Sequence, residues 1–178
     1  MSVLSIVATP IGNLEDITLR ALRVLKEADV VYAEDTRVTS KLLHAHGIKT
    51  ALQRLDENVE MLKAEEIIAR LEEGQKVALV SDAGTPGISD PGSRLVAAVR
   101  TALPDVKIEA IPGPSALTAA LSIAGIDTSE FVFKGFLPHK KGRQTALKAI
   151  RDERRVVVLY ESPHRIVRLL RELHEHVG

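Results

Sequence analysis

Three times in this chain a short apolar run empties into a proline- and glycine-rich loop that opens a helix. The run Val77, Ala78, Leu79 and Val80 is followed over residues 81–92 by Ser-Asp-Ala-Gly-Thr-Pro-Gly-Ile-Ser-Asp-Pro-Gly. Residues 3–8 lead into Thr9, Pro10, Ile11 and Gly12, and residues 106–111 into Pro112, Gly113, Pro114 and Ser115. Apolar runs of this length between turn signals read as strands buried on both faces, which a parallel sheet covered by helices provides. In such a sheet the loops share one edge, and ligands bind beyond the carboxyl ends of the strands. Glycine has no side chain to keep a ligand away from the backbone. One such loop alone is equally well a surface turn, so it is the threefold recurrence that reads as a single site.

The rest of the chain keeps the alternation. Helical spacing covers residues 17–28, with Asp16 placed to cap, then 38–46, 59–73, 91–103 and 115–124. Asp90 and Pro91 fit a helix N-cap followed by a first-turn proline. Short strands are expected at 30–33, 131–133 and 156–160, with helices at 143–152 and from Pro163 to the end. The expected fold class is α/β: a mostly parallel sheet over residues 1–124, then the first part of a second α/β domain over 125–178. Two strands bury little apolar surface, so that second domain reads as incomplete.

Composition narrows the function classes. Of 178 residues, 45% are hydrophobic and 27% charged, ordinary globular usage. Aromatics are only 3%, which argues against a base-stacking platform. The absence of cysteine excludes disulfides, thiolate metal sites and a cysteine nucleophile. His44 and His46, like His174 and His176, are two apart on expected helices and project to different faces, so no metal is expected. No long uncharged apolar run or signal peptide is evident, giving an expectation of a cytoplasmic protein that does not engage a membrane. The formal net charge is zero, yet residues 134–178 carry 11 Lys and Arg against 5 Asp and Glu. That basic back part is read either as a solvated face or as a surface for a polyanion.

The glycine signatures of dinucleotide and triphosphate sites and the serine-hydrolase elbow are all absent. Ser115 fits a helix N-cap. Glu34 and Asp35 stand at the carboxyl end of an expected strand with Arg37 close behind. They are either helix cap and ion pair, or a substrate anchor and proton acceptor. Glu161 and Ser162, followed by His164 and Arg165, repeat the theme: a cap by Ser162, or an anion or ribose contact.

Six ordered motifs carry a family resemblance. They are Ala-Thr-Pro-Ile-Gly-Asn-Leu at 8–14, Ala-Glu-Asp-Thr-Arg at 33–37, the 81–92 loop, Pro-Gly-Pro-Ser-Ala at 112–116, Gly-Phe-Leu-Pro at 135–138 and Tyr-Glu-Ser-Pro-His-Arg at 160–165. The chain resembles the bacterial methyltransferases that 2′-O-methylate the ribose of a cytidine in the decoding region of 16S rRNA, which have the tetrapyrrole-methylase fold. The resemblance implies two α/β domains holding S-adenosylmethionine (SAM), a homodimer, and the small ribosomal subunit as partner. It assigns Pro10, Asp82, Ala83, Gly84, Thr85, Ser115, Ala116 and Tyr160 to the cofactor, and leaves Glu34, Asp35 and Asp90 as catalytic proton-acceptor candidates. Arg37, Lys140, Lys141, Arg143, Arg154, Arg155 and Arg165 are the expected RNA contacts. Methylation of a tetrapyrrole or other small acceptor, and a non-catalytic RNA-binding fragment, stay open as alternatives. In two respects the chain departs from the family. The usual His-Glu/Asp-His-Asn-Glu run is matched by Leu55, Asp56, Glu57, Asn58 and Val59, so both histidines are replaced. Family members also continue through more strands than this chain holds, which reads as a truncation at the C-terminus.

Overall fold

The computed structural model describes residues 1–56 and 59–178, so the expectations at Glu57 and Asn58 lie outside the described residues. The chain forms two compact units, Met1–Ala119 and Ala120–Gly178. The division expected from sequence falls a few residues later, after residue 124.

In the first unit, β1 (Val3–Val7), β2 (Val30–Ala33), β3 (Ala51–Arg54), β4 (Lys76–Val80) and β5 (Lys107–Ile111) form one sheet in the order β3-β2-β4-β1-β5. Every pairing is parallel. Alternation along each strand sorts the side chains onto two faces. Val7, Val31, Ala33, Ala78 and Val80 pack under α1 (Leu19–Glu27) and α2 (Thr36–Ala45), through Ala21, Leu25, Leu42 and Leu43. Leu4, Val30, Tyr32, Val77 and Leu79 pack on the other side under α3 (Glu60–Glu72) and α4 (Ser93–Ala102), through Ala64, Ile67, Leu71, Leu95 and Val99. The result is a three-layer α/β unit whose central strands are buried on both faces, as their unbroken apolar runs require.

Two helix starts differ from the sequence reading. The chain makes a 3-10 turn at Leu14–Asp16, so α1 begins at Leu19 and Thr18, not Asp16, caps it by accepting from the Ala21 N–H at 3.0 Å. Helix α4 begins at Ser93 with Gly92 as its cap residue; neither Asp90 nor Pro91 occupies the cap position, because the buried Glu60 carboxylate takes the first-turn N–H groups instead. Asp35 does cap α2, accepting from the Arg37 N–H at 2.8 Å. Strand β3 was not anticipated. Its four residues, none of them buried, form the sheet edge and carry no apolar run to announce a strand.

Tyr32 is a polar exception in the core. Its hydroxyl donates to Glu66 at 2.7 Å, and Glu66 also accepts from Lys63 and Arg70. Burial first, then the Glu66 carboxylate, raises the Tyr32 pKa. The Lys63 ammonium first, then Tyr32, lowers the Glu66 carboxyl to about 2. A carboxyl depressed in the folded state contributes stability above its unfolded pKa and loses it as the pH falls through the folded one. Glu66→Gln is therefore expected to lower the urea midpoint at neutral pH. Its gap to the parent should close between about pH 4.5 and about pH 2. A gap independent of pH would contradict this network.

Helix α5 (Ala116–Ile123) follows β5 and crosses the boundary between the two units. The second unit contains β6 (Phe131–Phe136) and β7 (Val156–Tyr160), paired in parallel, with α6 (Arg143–Arg151) as the crossover and α7 (Ile166–His176) after β7. Leu137, Leu147, Ile150 and Leu169 form its small core. Ser162 does not cap α7 with its hydroxyl; the helix starts at Ile166, and Ser162 instead accepts through its carbonyl from the N–H groups of Arg165 and Ile166.

Candidate cofactor and acceptor site

Because β4, β1 and β5 are adjacent and parallel, the three loops leave the sheet side by side. They are joined by backbone. Ala8 N–H donates to the Ile111 carbonyl at 3.2 Å, and Thr9 and Gly84 exchange two N–H···O bonds of 2.9 and 3.1 Å. Thr9 Oγ1 donates to the Ser81 carbonyl at 3.0 Å and Ser81 Oγ to that of Gly84 at 3.1 Å. Glycine is needed where these segments meet. A Cβ on Gly113 would lie 3.0 Å from the Ala8 Cβ, and Gly92, at φ +132°, would place one 2.9 Å from Leu79 Cδ2. Pro10 and Gly84 are buried within the junction, Asp82, Thr85 and Ser115 are half-buried, and Ala83 and Ala116 are exposed. The structure thus brings together, on one edge, all the first-unit residues expected to hold the cofactor.

The loop after β2 joins the same edge, since Asp35 N–H donates to Asp82 Oδ1 at 3.0 Å. Beside it lies an open, polar cavity of about 700 Å³ lined by Glu34, Asp35, Thr36, Arg37, Arg54, Asp56 and Asp82. Arg37 and Arg54 stand at its rim, each paired at 2.6 Å with Asp35 and Asp56 respectively. Arg54 and Asp56 were not singled out from sequence, because an edge strand without apolar alternation gave no sign that its end would reach the site.

The three acceptor candidates differ in chemistry. The Arg37 hydrogen bonds hold the Asp35 carboxyl at about 2, which makes it a weak base at neutral pH. Burial raises the Asp90 carboxyl, with the Ser81 hydroxyl opposing and the Asp82 charge adding to the shift. Raised toward the working pH, a carboxylate is the better matched proton acceptor. Glu34 is half-buried on the cavity wall.

In the second unit Tyr160 packs edge-on against Phe133 and Phe136, with ring centroids 4.8 and 5.7 Å away. The expected RNA contacts there divide sharply. Lys140, Lys141 and Arg154 are exposed. Arg155 is also exposed but is gripped by Glu153 through two bonds of 2.8 Å. Arg143 corrects the sequence reading: it is 3% exposed, donating to Glu172 at 2.6 and 2.8 Å and to the Pro138 carbonyl at 3.0 Å. Arg165 is drawn inward too, paired with the buried carboxylate of Glu161. Both arginines serve an internal ion cluster that also includes Arg168, so neither presents a guanidinium for phosphate.

No group of His, Cys, Asp or Glu arranged to hold a metal ion occurs among the described residues, and no helix there is long and apolar enough to cross a membrane. A parallel sheet whose edge loops gather backbone groups, close-approach glycines and a few carboxylates beyond the strand ends defines an α/β protein of the kind that binds ligands at that edge. The profile of the Tetrapyrrole (Corrin/Porphyrin) Methylases matches residues 3–178, and the chain belongs to that family. Among curated relatives, it is 48% identical to "Ribosomal RNA small subunit methyltransferase I" of Thermotoga maritima over 178 residues, all of this chain and 79% of that protein. It is 51% identical over 171 residues to the protein of the same name from Escherichia coli O157:H7, covering 96% of this chain and 59% of that one. The protein of that name from Synechocystis is 46% identical over the whole chain, which spans 63% of it. The chain is thus shorter than each of these three relatives. Of solved structures, uroporphyrin-III-C-methyltransferase of Thermus thermophilus superposes with a TM-score of 0.65 at 24% identity, over 98% of this chain and 74% of that one. A diphthine synthase gives 0.64 at 19%, over 98% and 73%. These two likenesses bear on the fold alone.

Proposed function

We propose that the chain takes part in SAM-dependent 2′-O-methylation of a cytidine ribose in the decoding region of 16S rRNA, acting on the small ribosomal subunit as a homodimer in the cytoplasm. The observation that carries the reading is the junction of the three loops. There the backbone bonds between Thr9 and Gly84 and the close packing that a Cβ at Gly113 would disturb draw the loops together, with Asp82 and Asp90 beside them to suit a ligand bearing positive charge. The relatives' shared name supplies the substrate class.

Bound there, SAM would supply an electrophilic methyl group on a sulfonium. Pro10, Asp82, Ala83, Gly84, Thr85, Ser115 and Ala116 would hold and orient it, chiefly through backbone groups. Asp90 would take the proton released by the ribose hydroxyl. Alignment of the reactants supplies most of the rate, and base help is modest.

Calorimetric titration with SAM tests the reading. Saturable binding of one SAM per chain is expected, and a folded protein that takes up none would refute it. For the RNA, Lys140, Lys141 and Arg154 remain the candidates for phosphate contact in the second unit. Replacing Lys140 and Lys141 together with Ala is expected to flatten the salt dependence of small-subunit binding by roughly 1 to 2 in the log–log slope. An unchanged slope would remove both lysines from the RNA surface. A protein that methylates a tetrapyrrole and not rRNA would show SAM binding with no such slope.

A further inference from the structure

Glu60 is the first residue of α3, yet its work lies on a different helix. Its side chain is buried, 3% exposed, and Oε1 accepts from the N–H groups of Gly92 at 2.9 Å and Leu95 at 3.0 Å. Helix α4 has no side-chain cap of its own, and none is possible at Gly92, where φ is +132° and a Cβ would strike Leu79. The charge sits where the partial positive end of α4 stabilises it, and each hydrogen bond is charge-assisted. Glu60 thereby replaces the missing cap from 32 residues upstream.

The consequence reaches the cofactor loop. Residues 81–92 are fastened at their front end by Ser81, Thr9 and Gly84. At the rear, the Gly87 N–H donates to the Pro91 carbonyl at 3.1 Å, and Gly92 is fixed to Glu60. Between these anchors lie Asp82, Thr85 and Asp90. We propose that Glu60 is a positioning residue of this site: by capping α4 across the helix pair it sets the conformation of the 81–92 loop and with it the affinity for SAM. This rests on the reading of the loop as part of the SAM site.

Glu60→Gln keeps an acceptor at the same reach, while Glu60→Asp keeps the charge but shortens the reach by one methylene. Ile67→Ala, in the same core cluster on α3, removes packing and leaves the cap alone. Amide hydrogen exchange at Gly92 and Leu95 is read without ligand, and SAM affinity by calorimetry. In Glu60→Asp, exchange at both amides is expected to rise and SAM affinity to fall, each by about tenfold, the scale of one lost charged hydrogen bond. Glu60→Gln should fall between the parent and Glu60→Asp on both, since its carbonyl still accepts but the charge assistance is lost. Ile67→Ala should lower the unfolding midpoint with SAM affinity retained.

Unchanged exchange in Glu60→Asp would overturn the proposal. So would an Ile67→Ala protein that loses as much SAM affinity as Glu60→Asp, because the effect would then follow global stability. A parent that binds no SAM would defeat the functional reading instead, and the exchange rates would still decide whether Glu60 sets the loop.

Discussion

Gly92→Ala is expected to be among the most damaging single-methyl substitutions in the chain. Two costs coincide there. The backbone sits at φ +132°, where an L side chain is strained, and the new Cβ would lie 2.9 Å from Leu79 Cδ2, a side chain 1% exposed in the core. Strain and overpacking each cost about 1–3 kcal/mol, so a loss of roughly 2–6 kcal/mol is expected in urea unfolding. Gly74→Ala separates the two. Gly74 has φ +85° but nothing within 4 Å of its would-be Cβ, so only the strain of about 1 kcal/mol should appear. Because Gly92 also closes the 81–92 loop, SAM binding should be lost in Gly92→Ala and kept in Gly74→Ala. Equal losses of stability in the two variants would show that the contact with Leu79 is relieved at no cost.

Arg143→Ala is expected to act through stability and not through RNA. The guanidinium is buried and satisfies Glu172, while the Glu161 carboxylate, 1% exposed, lies 3.8 Å away. Removing one partner from a buried ion cluster leaves uncompensated charge, at a cost of about 3–5 kcal/mol. The small core of the second unit, built on Leu137, Leu147, Ile150 and Leu169, offers little to offset this. Arg143→Ala should therefore lower the urea midpoint of that unit, whereas Lys140→Ala and Lys141→Ala leave it unchanged. A stable Arg143→Ala protein with weakened small-subunit binding would return Arg143 to the RNA surface.

The contrast between Arg143 and Lys140 shows where reading from sequence alone stops. All are cations in one basic stretch, but burial of Arg143 is decided by Glu172, 29 residues later, a pairing no local pattern encodes. Glu60 was invisible for the same reason, since its partners are backbone groups of another helix. The central strands were legible because Val30, Val31, Tyr32 and Ala33, like Val77, Ala78, Leu79 and Val80, are buried on both faces and so form continuous apolar runs. Strand β3 sits at the edge, where Ala51, Leu52, Gln53 and Arg54 need no such run. The common edge of the three loops could be inferred from parallel pairing. The order β3-β2-β4-β1-β5, which sets β1 between β4 and β5 and lets Thr9 bridge to Gly84, could not. The starts of α1 at Leu19 and α4 at Ser93 differ from the sequence reading because several polar residues near each start are equally able to cap by sequence. The geometry of the preceding turn, and Glu60 in the second case, made the choice.

The most direct test is methyl transfer itself. Small ribosomal subunits lacking the modification, incubated with the protein and SAM labelled in its methyl group, should gain label as 2′-O-methylcytidine in the decoding region, identified by nuclease mapping and mass spectrometry. Label in a tetrapyrrole acceptor but not in rRNA, or SAM bound without transfer to the subunit, would contradict the proposed reaction.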